Sequence, residues 1–87
     1  MSTSTSLPSP VNDQRRSVVI FHVDAGKKRI NCAISWEALE DHFGADFKDY
    51  LLAFTENRKA IEGKAKRLIQ RLRFETDGSI LMRSSDF

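Results

Sequence analysis

The sequence predicts a small α+β domain of order ββααβ: a three-stranded antiparallel sheet with one short and one long helix packed on one face. Three observations predict it. The β-branched and aromatic run Val18 to Val23 is followed by Asp24-Ala25-Gly26-Lys27 and an alternating stretch, Arg29 to Ile34, which together read as a β-hairpin. Between residues 36 and 72, apolar side chains recur at intervals of three and four, the period of amphipathic helices. A final apolar run, Ile80 to Met82, follows the turn signal Asp77-Gly78 and supplies the third strand.

In the second strand Ile30, Cys32 and Ile34 alternate with Arg29, Asn31 and Ala33, so one face is apolar and the other mixed. The matching set in the first strand is Val19, Phe21 and Val23, which leaves His22 on the opposite face with Val18 and Ile20. Ser35 is placed to cap a short helix, Trp36 to Phe43, by accepting from the free amides of its first turn. Trp36, Leu39 and Phe43 form its apolar stripe, and Gly44 supplies the left-handed residue that stops it. Asp46 then caps a longer helix with the seam Phe47, Leu51, Phe54, Ile61, Ala65, Leu68 and Leu72. We expect one helix of up to about 26 residues, with a bend allowed; the alternative is two helices broken near Gly63, where glycine costs about 1 kcal/mol relative to alanine. Phe74 to Thr76 is a candidate for the second arm of a closing hairpin.

The chain has 87 residues. Residues 1–14 are Ser, Thr and Pro rich and carry too little apolar surface to offset the entropy of ordering them, so they read as a disordered tail ahead of a single domain, 15–87. A core this small stands only about 3–5 kcal/mol above unfolding, which leaves a monomer or a homodimer open. The lone Cys32 excludes an internal disulfide and reads as a small buried hydrophobe on a strand. No run of about 20 apolar residues exists and no secretory h-region precedes the domain; with the cysteine count, this points to a cytoplasmic protein without a membrane partner.

Charge is nearly balanced, 14 Lys+Arg against 12 Asp+Glu, but unevenly placed. Residues 35–50 hold five acids and one base, whereas residues 56–73 hold seven bases and two acids. On a helix Lys59, Lys66 and Arg73 share a line, flanked by Lys64, Arg67 and Arg71, forming a basic ridge able to lie along phosphates. The same arrangement also complements the helix macrodipole as a solvated face. Arg58 occupies a seam position that calls for an apolar group, and Glu62, four residues on, can reach it as a partly buried ion pair. His22 and His42 stand in no metal or catalytic spacing, no glycine pattern cradles phosphate, and no serine has a nucleophile-elbow context. No catalytic residue, metal site or cofactor is therefore expected.

One combination of motifs is more specific than its parts: Asn31-Cys32-Ala33-Ile34-Ser35, Glu37-Ala38-Leu39 and Phe43-Gly44, then Phe54, Arg58, Ile61-Glu62 and Ala65, closing with Asp77-Gly78-Ser79-Ile80. In order and spacing, from about Ser17 to Met82, the chain resembles a bacterial family known only as domain of unknown function 1488. The resemblance implies a compact α+β fold and a bacterial origin, and no activity. This chain departs from the family pattern in being more basic between Lys64 and Arg73. The functional expectation is a non-enzymatic binding or regulatory module for an unidentified protein partner, acting through the long helix or a sheet edge. The alternative is nucleic-acid binding through Lys59, Lys64, Lys66, Arg67, Arg71 and Arg73.

Overall fold

The computed structural model describes residues 9–45 and 49–87. Its elements in chain order are β1 (Val11–Asp13), β2 (Val18–Ala25), β3 (Lys28–Ser35), α1 (Trp36–Phe43), α2 (Tyr50–Glu56), α3 (Arg58–Gln70), β4 (Ile80–Met82) and a 3₁₀ turn, Ser84–Asp86. The strands form one sheet of order β1-β2-β3-β4. Successive pairs are antiparallel, antiparallel and parallel.

The β2–β3 hairpin pairs Val19 with Ile34, Phe21 with Cys32 and Val23 with Ile30, so the expected apolar set shares one face. That face meets the helices. Phe21, Ile34, Ile80 and Met82 join Leu39, Phe54, Ile61 and Ala65 in a single core in which each is at most 1% exposed. Phe54 packs on Phe21 with ring centroids 4.8 Å apart. Burying a side chain of this size is worth about 1.5–3 kcal/mol, so this contact between α2 and the sheet is among the strongest in the fold. Ser35 caps α1, its hydroxyl accepting from the Ala38 amide at 3.0 Å, and Gly44 ends it at φ 68°.

The sheet differs from the expectation in three ways. It has four strands, because β1 forms inside the stretch 1–14 expected to be a tail; residues 1–8 lie outside the described residues. Trp36 holds β1 in place, its indole N–H donating to Asn12 Oδ1 at 2.9 Å. The sheet is mixed, because the chain between β3 and β4 includes three helices and is long enough for a crossover, which permits parallel pairing. The Asp77-Gly78 turn is real, with the Glu75 amide donating to the Ser79 carbonyl at 2.8 Å. Phe74 to Thr76 nevertheless forms no strand, so the turn aims β4 and closes no hairpin.

The long helix is two helices, and the break falls at Asn57 rather than Gly63. Asn57 Nδ2 donates to the Ala53 carbonyl at 2.8 Å, competing with the helical ladder, and its backbone leaves helical space at φ −115°, ψ 20°. Arg58 consequently begins α3 and no longer sits in a continuous seam. Tyr50, Ala53 and Phe54 are the buried residues of α2, and Ile61, Ala65 and Leu68 those of α3. Leu51 and Leu72, expected in the seam, are 38% and 77% exposed. Asp46 and Phe47, the expected cap and first seam residue, lie outside the described residues.

The end of α3 carries backbone strain. The Arg73 amide donates to the Leu68 carbonyl and the Leu72 amide to that of Ile69, both at 3.0 Å, the paired bonds of a Schellman stop. Its left-handed position is filled by Leu72 at φ 58°, where glycine is the usual occupant. Leu72→Gly should therefore stabilise the domain by about 0.5–1 kcal/mol, after allowing for glycine's greater freedom in the unfolded chain. A urea titration checks this: the midpoint should rise with the slope unchanged.

Candidate functional site

The helices cover one face of the sheet and leave the other open. On the open face the register places Val11 beside Ile20, Ile20 beside Ala33, and Ala33 beside Leu81. One apolar row thus crosses all four strands. Val11 is exposed, Ile20 and Leu81 are half-buried, and Ala33 is buried. Along one side of this row lies a polar pair, His22 beside Asn31, with Ser79 just ahead of β4. Outward positions on a solvated sheet are ordinarily polar, so a continuous apolar row there stands out.

The segment 75–79 rises beside the row and makes a groove of about 580 Å³ whose lining includes Ile20, His22, Asn31, Ala33 and Leu81. The segment is held firmly. Asp77 Oδ1 accepts from the Ser79 hydroxyl at 2.6 Å and from the Ser79 amide at 3.0 Å. These bonds, the hydroxyl foremost, together with the nearby Arg16 guanidinium, hold the Asp77 carboxyl below its usual range. Arg16 and Arg29 also line the groove, opposite in charge to Glu75 and Asp77. In its floor, His22 Nδ1 is buried without a hydrogen-bond partner. Burying a polar atom unpaired is costly.

The residues singled out from the sequence lie elsewhere. Lys59, Lys66 and Arg67 project from α3 into solvent, and Arg71 follows at its end. Arg73 falls beyond the helix and pairs with Asp86 at 3.6 Å, so it leaves the expected line. Lys64 lies over the Phe87 ring, 5.9 Å from its centroid. The structure thus keeps four of the six cations as one outward set and engages the other two with the C-terminal segment. Arg58 Nε donates to Glu62 Oε2 at 2.8 Å, with side chains 40% and 25% exposed, a half-buried pair on one helix.

Two clusters were invisible in the sequence. Tyr50 stacks on Trp36 at 4.3 Å and donates its hydroxyl to Glu40, which raises its pKa above the ordinary tyrosine value. At the C-terminus the Ser84 hydroxyl donates to Asp41 at 2.5 Å and lies 3.3 Å from His42 Nε2. These are the residue types of a hydrolytic triad in a different arrangement. His42 Nε2 is 2.9 Å from the Ser84 carbonyl, which can only accept, so that nitrogen carries the proton and offers no lone pair to the hydroxyl. The carboxylate bonds the serine and not the imidazole, whereas a triad needs it to orient the base. The cluster is a clasp between α1 and the C-terminal turn.

Cys32 is 2% exposed, and burial foremost, with the Glu62 charge adding to it, pushes its thiol up to about 12. Among the described residues no group of three or more His, Cys, Asp and Glu converges as metal ligands, and no helix is long and apolar enough to cross a membrane.

A family model described as "Protein of unknown function (DUF1488)" matches residues 7–82, a span that takes in β1. A crystal structure of a protein of unknown function from the same family, from Shewanella loihica PV-4, superposes with a TM-score of 0.74 at 23% identity, covering 93% of this chain and 96% of that one. That likeness shows the fold. No curated protein matches the chain.

Two measurements probe the site's chemistry. Cys32 should react with a thiol reagent only as fast as the domain unfolds, so its rate should rise with denaturant in step with global unfolding; fast labelling of the native protein would contradict the burial. Asp77, with its folded pKa depressed, contributes stability at neutral pH that is lost as pH falls below the ordinary aspartate value of about 3.9 and through the lowered one. Its carboxyl carbon, followed by NMR, should titrate below that of a model peptide, and Ser79→Ala should move the midpoint back up.

Proposed function

The chain belongs to the DUF1488 family of proteins of unknown function, and from that premise we propose that it is a binding module whose open sheet face receives a single segment of a partner protein. The observation that supports this reading is the apolar row Val11–Ile20–Ala33–Leu81, bordered by His22 and Asn31. Four strands at roughly 4.8 Å spacing make the row about 14 Å long and one side chain wide. Val11 alone of the four is more than half exposed, so the apolar surface of the row falls far short of the roughly 800 Å² per partner in a stable interface between folded proteins.

A narrow row beside a raised wall therefore suits one stretch of chain better than another domain. Apolar side chains of that stretch would cover Ile20 and Leu81, and its backbone would meet the Asn31 amide and the rim of the 75–79 segment. Arg16 and Arg29 against Glu75 and Asp77 leave the rim with both signs of charge, which favours a segment without a strong charge of its own. The reading moves the expected interaction surface from the long helix or a sheet edge to the sheet's open face. Both edge strands are three residues long, a length that guards against strand addition.

A phage-displayed library of random peptides tests this, panned in parallel on the wild type, Leu81→Glu and Ile20→Thr, with the melting curve of each variant recorded. Enriched peptides should share apolar residues and lose binding on whichever variants remain folded. Enrichment that both folded variants retain, or no enrichment at all, overturns the reading. So does a dimer in sedimentation that Leu81→Glu dissociates, because the row would then be a contact between copies.

A further inference from the structure

We infer that the outward face of α3 is a second binding surface, one that takes the phosphate backbone of a duplex nucleic acid with Gly63 at its centre. The inference rests on α3 alone and is independent of the groove on the opposite side of the sheet. Ile61, Ala65 and Leu68 form the buried side of the helix, and Lys59, Gly63, Lys66 and Gln70 lie opposite them in solvent. Gly63 stands four residues after Lys59, three before Lys66 and four before Arg67, so these three cations are its neighbours on the helix surface. Arg71 extends the set by one turn.

Two further observations bear on this face. First, Lys59, Lys66, Arg67 and Arg71 form no ion pair with an acid among the described residues, whereas Arg58, Arg73 and Arg83 each do. Second, nothing inside the molecule calls for a glycine at position 63. A Cβ built there meets nothing within 4 Å, and the residue has ordinary helical backbone. Glycine in a helix interior is disfavoured relative to alanine, and here it leaves a notch in the middle of a cationic surface. A notch of this kind lets a sugar-phosphate strand approach the helix barrel while the flanking side chains close on its oxygens.

Between Lys59 and Gln70 the outward face carries no large apolar side chain, and the exposed Leu72 lies beyond the end of the helix. Binding at a lipid interface draws on apolar insertion as well as charge, and single-strand platforms draw on aromatic stacking. Neither is available here, which leaves contact with backbone phosphates and little readout of base sequence. Over its 13 residues the helix is about 20 Å long, and the major groove of B-DNA, about 12 Å wide, admits an α-helix.

Fluorescence anisotropy with a short labelled DNA duplex tests the inference on the full chain. With four phosphate contacts the salt slope should be near −3.6, so affinity should fall on the order of a hundred-fold between about 50 and about 200 mM salt. Lys66→Ala should lower that slope by about one. Gly63→Ala is the sharper variant. It should melt a few degrees higher than the wild type and yet bind duplex several-fold more weakly at an unchanged slope, because it removes space and no charge. Failure of the wild type to bind at about 50 mM salt, or wild-type affinity in Gly63→Ala, overturns the inference. Co-sedimentation with phosphatidylserine vesicles stronger than duplex binding, and abolished by Lys66→Glu with Arg67→Glu, overturns it in favour of an anionic membrane surface.

Discussion

The register between β2 and β3 is the constraint on which the rest of the structure depends. Eight consecutive pairs, from Val18 with Ser35 to Ala25 with Lys28, decide at once which side chains meet the helices and which meet solvent. A slip of one residue in either strand would turn Phe21 or Cys32 outward and bring His22 or Asn31 into a core that holds no buried polar residue among those described. Gly26, at φ 66° in the two-residue turn, pins the register from one end. At the other end the Trp36 amide donates to the Ser17 carbonyl at 2.9 Å. The core and the groove are therefore two faces of one choice, and neither can change without the other.

Much of this was legible because it is local. The hairpin, the core set Val19, Phe21 and Val23, the Ser35 cap and the Gly44 stop each rest on residues within a few positions of one another, where period and capping chemistry act directly. The failures share the opposite property. β1 has only three residues, and its order depends on an indole bond from Trp36 to Asn12 across 24 positions, which periodicity cannot reveal. The direction of β4 depends on where the helices deliver the chain, and a turn signal such as Asp77-Gly78 is the same whether or not a strand precedes it. At the helix break, Gly63 carried the weaker propensity while Asn57 carried a side chain able to take a backbone carbonyl. The specific competitor prevailed over the general penalty.

The groove was harder to foresee than the core for a related reason. Ile20 and Ala33 were visibly apolar on the outward face, but a row needs all three strand pairings, and two of these involve strands whose place or direction the pattern did not disclose. His22 reads as an isolated histidine until its neighbours in space are known. The basic ridge was the reverse case. Its residues were identified at once from the sequence, and the structure then refined them, removing Arg73 to Asp86 and Lys64 to Phe87 while leaving three cations around a glycine and Arg71 one turn beyond.

The two surfaces lie back to back, with the core between them. α3 packs on β2 and β4, the strands that carry Ile20, His22 and Leu81 into the groove. A closely packed interior resists compression, so a displacement of α3 bears on Phe21, Ile80 and Met82, whose chain neighbours form the groove floor. The 75–79 segment adds a covalent link, since it joins the end of α3 to β4 and forms the groove wall. Whatever engages one face therefore acts on a framework that the other shares. The open face and the helix thus share one framework, although no side chain belongs to both.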